Sequence, residues 1–294
     1  MKHAVMGWVL VLIAPLAWVG LSSPAEAGKP NSPSCGSTKF TKANGSKYQC
    51  SFADDFNGSE LDRNKWVVQA TGISGHSLGG DCWVDDPDNI KVSDGTLKLI
   101  SRHEDAPFTC NSPFGDFTTE YTSGSVSTRG KLSQTYGRFE FRAKFPDATV
   151  AGSHSALWMY PYSQTYGSWP ASGEIDVAEY YTKYPDRAIP YIHYNVDSAN
   201  TSPVTNTSCK IADPWNFHTY VMEWTTTTIK IVYDGATCVE HKIDAAAPLA
   251  GGAPFDKPFV VYLSQVLGSG SNPFSADTTP LPLTTEVDWV RVWK

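Results

Sequence analysis

Short runs in which apolar and polar residues alternate recur along this chain. Nowhere does a dozen-residue stretch carry the i, i+3, i+4, i+7 apolar stripe of an amphipathic helix. Arg138-Phe139-Glu140-Phe141-Arg142-Ala143-Lys144-Phe145 is the clearest run. Every second side chain is aromatic or Ala, the pattern of a strand with one buried and one wet face. Thr96–Ser101, Ile189–Val196, Phe217–Trp224, Thr228–Tyr233, Pro258–Leu263 and Val287–Trp293 read similarly, with Gly, Pro, Asn, Asp and Ser between them. The thin Thr225–Thr227 link makes a hairpin of its two flanking runs. Many short strands, frequent turns and little helix predict an all-β sandwich or barrel. No internal repeat or low-complexity linker marks a second domain.

Residues 1–27 stand apart from this pattern. Lys2 is followed by a nearly unbroken apolar run from Ala4 to Leu21, and Ala25-Glu26-Ala27 has the small-x-small form of a signal-peptidase site. A retained membrane anchor is the alternative, but Pro15 interrupts the run. The expected organisation is a signal peptide over 1–27, an N-terminal extension over 28–50 and a catalytic-sized β domain over 51–294. The exported chain should be secreted, not membrane-bound, and should act as a monomer. Six cysteines, all beyond the signal segment, imply disulfides in an oxidising compartment. The pairing that closes the shortest loops is Cys35–Cys50, Cys82–Cys110 and Cys209–Cys238. No Cys-x-x-Cys pair or nearby His suggests zinc. A net charge of −7 repels phosphate backbones and anionic membranes, so nucleic acid is not an expected partner.

The chemistry concentrates in Gly173-Glu174-Ile175-Asp176-Val177-Ala178-Glu179. On a regular strand Glu174 and Asp176 share a face, whereas Glu179, five residues beyond Glu174, points the other way. One extra residue around Val177–Ala178, a β-bulge, returns Glu179 to the face of the other two. The two glutamates then stand about 13 Å apart at their α carbons. Side chains leaning inward bring the carboxylates to about 5 Å, the separation of a retaining rather than an inverting glycosidase. Three acids this close cannot ionise independently, which keeps one protonated near neutral pH while another stays anionic. A solvated acidic strand face is the functionless alternative. Its aromatic and apolar neighbours make that awkward.

This segment resembles the signature of glycoside hydrolase family 16 in its bulged E-x-D-x-x-E form. Asp54-Asp55-Phe56-Asn57-Gly58, Tyr136-Gly137-Arg138-Phe139-Glu140 and Val287-Asp288-Trp289-Val290-Arg291-Val292 resemble the family's opening, middle and end, in order. The resemblance implies a concave, concanavalin A-like β-jelly-roll sandwich with an open cleft, acting endo with retention on a polysaccharide. It makes Glu174 the nucleophile, Asp176 its assisting carboxylate and Glu179 the general acid/base. Trp158, Trp169, His193 and Asn89 fall on positions that meet substrate. The reaction asks for no cofactor, but the family commonly carries a structural calcium in which the Asp288 position takes part. Two segments depart from the pattern: His154-Ser155-Ala156 stands where Trp-Pro-Ala is common, and Ser264-Gln265-Val266-Leu267-Gly268-Ser269 replaces Asn-Leu-Ala-Val-Gly-Gly.

The expected substrate is a β-1,3- or mixed-linked glucan. The rivals are a galactan such as agarose or carrageenan, transglycosylation on the same scaffold, and a sugar-binding jelly roll without turnover. A sulfated substrate would call for a basic cleft, which the acidic composition disfavours.

Overall fold

The computed structural model describes residues 33–42 and 44–294. The expected signal peptide and the start of the N-terminal extension lie outside them. The described residues fold as a β sandwich with a single one-turn helix, α1 (Thr71–Ser74). The strands are β1 (Cys50–Asp54), β2 (Val67–Val68), β3 (Cys82–Trp83), β4 (Ile90–Ser93) and β5 (Thr96–Cys110). Then come β6 (Phe117–Ser127), β7 (Gly137–Lys144), β8 (Ser153–Pro161), β9 (Glu174–Tyr181) and β10 (Ile189–His193). The last five are β11 (His218–Trp224), β12 (Thr228–Tyr233), β13 (Ala236–Lys242), β14 (Phe259–Leu267) and β15 (Leu283–Trp293).

Hydrogen bonding follows the order β10-β9-β8-β14-β6-β5-β15-β7-β11-β12-β13. The first five strands form the layer that carries the carboxylate segment. β15, β7 and the β11–β13 meander form the opposing layer, and β5 pairs with both β6 and β15 to join them. This is the expected concanavalin A-like jelly roll. β11 and β12 make the expected hairpin, with Trp224 opposite Ile229.

The alternation in β7 holds on its inner side, where Phe139, Phe141 and Ala143 are wholly buried. Its outer side is drier than a wet face. Arg138 lies 4.0 Å above the Phe40 ring of the N-terminal extension, and Arg142 lies 4.7 Å above Phe217. The Arg138 head is paired with Glu140 and Glu223, so ion pairs and stacked rings cover this face. Between the layers, Phe145 stacks on Tyr180 at 4.9 Å, and the Tyr233 hydroxyl donates to the Val177 carbonyl at 2.7 Å. The second contact anchors β12 beneath the middle of β9.

The three disulfides are Cys35–Cys50, Cys82–Cys110 and Cys209–Cys238, the shortest-loop pairing. β14 runs past the expected Leu263 to Leu267, and all nine of its residues are buried. The polar pair Ser264-Gln265 does not end it, because its groups are satisfied inside. The Gln265 Oε1 accepts from Ser155 at 2.7 Å and Thr285 at 2.8 Å, while its Nε2 donates to Ser153 at 2.7 Å.

Candidate active site

β9 sits between β8 and β10, with Ile175, Val177, Ala178 and Tyr180 wholly buried beneath it. Its start is fixed by Gly173, whose φ of 82° only glycine adopts without strain. A Cβ there would also stand 2.8 Å from the Phe255 ring. The register then shows the bulge directly. On β8, Trp158 faces Asp176 and the adjacent Leu157 faces Ala178, so Val177 has no partner of its own. On β10, Tyr191 faces Asp176 and Ile189 faces Glu179, three residues against two. Glu174, Asp176 and Glu179 consequently line one cleft.

Each carboxylate has its own partners. The Trp169 indole Nε1 donates to Glu174 Oε2 at 2.6 Å, although its ring is 52% exposed. Asp176, 5% exposed, meets His193 Nε2 at 3.0 Å. His193 is held flat against Tyr191 at 3.9 Å. Glu179 Oε1 is bonded by the Tyr181 hydroxyl at 2.6 Å and by His154 Nε2 at 3.0 Å. Trp158 lines the cleft beside Asp176, stacked 4.4 Å from Tyr262, and its Nε1 donates to Ser264 at 3.0 Å.

These partners separate the three acids. Burial pushes Glu174 up to about 7 against the opposing Trp169 donor, with the Glu179 charge adding to the rise. Burial and both flanking glutamates hold Asp176 well above the usual carboxylate range. Burial raises Glu179 as well, but the donors His154 and Tyr181, with the nearby His193 ring, outweigh it and leave it below its ordinary value. Burial lowers His193, against the Glu179 charge, which raises it.

Three of the four expected sugar-contacting residues, Trp158, Trp169 and His193, surround the carboxylates. Asn89 does not. It is 1% exposed, and its Nδ2 donates to the Ile100 carbonyl at 2.9 Å and the Thr122 hydroxyl at 3.0 Å. Its side chain pins β5 to β6 instead of reaching the cleft. Asp288, the expected calcium position, is paired with Arg142. A carboxylate committed to a guanidinium does not fit a site where a dication needs several free oxygens. Ligand atoms of Glu174, Asp176 and His193 lie within 4.8 Å of one another, a grouping that could hold a metal ion.

His154, Tyr181 and Ser264 were not singled out from sequence as site residues, nor were His76 and Trp83, which form the opposite wall. Their stacked rings lie 5.6 Å apart. His154 had a signal. On β8, residues 154, 156 and 158 share a face, so placing Trp158 in the cleft places His154 there too. The 76–83 wall had none, because it comes from an irregular segment docked across the sheet.

An acid pair and a third carboxylate at the floor of a concave β sandwich, ringed by indoles and imidazoles, belong to a glycoside hydrolase. The comparisons agree. The sequence profile of the β-porphyranase A–D GH16 domain matches residues 47–294. A glucan endo-1,3-beta-glucosidase A1 of Niallia circulans is 33% identical, over 82% of this chain and 37% of that protein. A beta-glucanase of Rhodothermus marinus is 31% identical, over 83% of this chain and 84% of that one. The solved laminarinase from Rhodothermus marinus superposes with a TM-score of 0.70 at 28% identity, covering 84% of this chain and 97% of that structure. This chain belongs to glycoside hydrolase family 16.

Proposed function

We propose that this protein is a secreted, endo-acting, retaining hydrolase of β-1,3- or mixed-linked glucan. Glu174 is the nucleophile, Asp176 its assisting carboxylate and Glu179 the general acid/base. Glu174 attacks the anomeric carbon as the glycosidic bond breaks, and Glu179 gives its proton to the departing oxygen. Water, deprotonated by Glu179, then releases the sugar from Glu174 with its configuration retained. Residues 1–27 leave on export, 28–50 serve as the extension and 51–294 form the catalytic domain. One chain supplies the whole carboxylate set, and the reading takes the enzyme as a monomer whose reaction asks for no cofactor.

The observation that carries this reading is the bulge that sets all three carboxylates on the cleft floor. Below about pH 7 the three coupled acids share two protons and one negative charge, the number the first step needs, with Glu174 the anion and Glu179 the acid in the reacting form. Asp176 stays protonated and can donate to Glu174 once that carboxylate is the anion.

The relatives named for glucans support the substrate. The matched porphyranase profile favours a second reading, a galactan hydrolase. Among the described residues lining the cleft there is no Lys or Arg. A sulfated chain would meet acids at the point of cleavage, which places the neutral glucan first, although Arg129 stands near His76 at the cleft edge.

The test is to incubate the purified protein and Glu174→Gln with laminarin, lichenan, agarose and porphyran. Oligosaccharides from laminarin or lichenan, absent with the variant, are expected, with the β anomer first in NMR. Cleavage confined to a galactan would move the substrate to the second reading. An added acceptor oligosaccharide that grows longer during the digestion would mean transglycosylation. Binding without products, or turnover unchanged in the variant, would sink the enzyme reading or the nucleophile.

A further inference from the structure

His154 and Tyr181 sit side by side on neighbouring strands, directly opposite each other in the β8–β9 register. Their rings are parallel, 4.5 Å apart with 4° between planes. Both reach the same oxygen, Glu179 Oε1. The tautomer of His154 follows from its bonding. Its Nδ1 is buried with no partner, so a hydrogen there would be an unpaired buried donor, and the hydrogen belongs on Nε2. His154 therefore donates to Glu179 through Nε2 and does not accept from it. Tyr181 can only donate as well, since burial and the Glu179 charge push its ionisation upward.

We propose that His154 and Tyr181 are positioning residues, a two-donor clamp that occupies Glu179 Oε1 and so forces the catalytic proton onto Oε2, the oxygen that faces the glycosidic bond. With the lone pairs of Oε1 engaged, a proton there would displace one of the two donors. On Oε2 it displaces none. As that proton passes to the leaving oxygen, negative charge grows on Glu179, and the clamp donors are already aimed at it. They act as preorganised donors, worth most where charge develops in a dry site. The same donors orient the carboxylate when it acts as base in the second step.

This inference rests on Glu179 being the acid/base. It explains why the chain departs from the family's usual pattern at His154: a tryptophan in its place would leave Oε1 to Tyr181 and water. The groups facing Glu179 are Glu174, Asp176 and Tyr181 on β9, His154 on β8 and His193 on β10. Tyr233 of β12 lies beneath the bulge and His76 stands across the cleft. Of these, His154 and Tyr181 donate to its oxygens.

The experiment compares kcat/KM for laminarin with that for 2,4-dinitrophenyl β-laminaribioside, whose leaving group needs no proton. His154→Ala and Tyr181→Phe should each lose about 10- to 100-fold on laminarin and under about threefold on the aryl glycoside. His154→Gln, whose amide N–H can take the place of Nε2, should recover most of the loss. Equal losses on both substrates would reduce the pair to strand packing, and no loss on either would remove it from the reaction. Glu179→Ala distinguishes the two levels. If it too loses both substrates equally, the acid/base assignment fails. If it shows the leaving-group split and His154→Ala does not, the clamp alone fails.

Discussion

At the residue scale the cleft works by dividing protons among three acids, and the Trp169 indole is the lever with the clearest sign. Its N–H stabilises the anion of Glu174, the form in which the proposed nucleophile attacks. The cluster loses its second proton near the Glu174 value of about 7, so kcat/KM should fall as pH rises through that value. Trp169→Phe keeps most of the aromatic area and removes the donor. Glu174 then holds its proton more tightly, and the alkaline limb should move above its wild-type position. The population with Glu174 anionic and Glu179 protonated shrinks, so the plateau should drop about tenfold. A pH profile of both proteins on laminarin checks the shift and the drop together, and an unmoved limb would mean that Trp169 contributes only a platform. The carboxylates themselves were legible in the sequence, because spacing on one strand is a local property. Asn89 was not, since whether an amide lines a cleft or ties two strands depends on what folds over it.

At the scale of the element, β9 and β14 show opposite limits of pattern reading. Strict alternation would have put Glu179 in the core, and only the chemistry of the segment argued for an extra residue at Val177. The register on both sides supplies it. In β14 the apolar run Pro258–Leu263 covers only the first part of the strand, which continues through Ser264-Gln265 to Leu267. The buried network around Gln265 was invisible, for its partners come from Ser101, Ser153, Ser155 and Thr285, distant in sequence. Gln265→Leu preserves approximate volume but strips those hydroxyls of their shared partner. It should destabilise the fold by about 2–4 kcal/mol, read as a lower urea midpoint at unchanged slope. A midpoint equal to wild type would show that the hydroxyls re-pair among themselves.

Across the whole molecule, the sandwich and the cleft wall are secured by different means. The floor, β8, β9 and β14, is continuous sheet over a packed core that no disulfide crosses. The wall bearing His76 and Trp83 arises from the α1–β3 segment, which β3 joins to β6 through a two-residue parallel pairing. Cys82–Cys110 fastens that segment to the far end of β5, closing a loop with a sequence separation of 28. The fold class was readable from strand pattern, and the pairing from loop length. That one bridge holds a substrate wall was not, because it depends on where the loop docks. Replacing both cysteines, Cys82→Ser with Cys110→Ser, should cost about 3–4 kcal/mol from freeing the unfolded chain. Below the unfolding transition the carboxylates keep their geometry while the wall loosens. KM for laminarin should therefore rise about three- to tenfold with kcat nearly unchanged, the mark of lost uniform binding. The two readouts separate: a fall in kcat matching the rise in KM would mean that the wall also shapes the reacting geometry of Glu174 and Glu179.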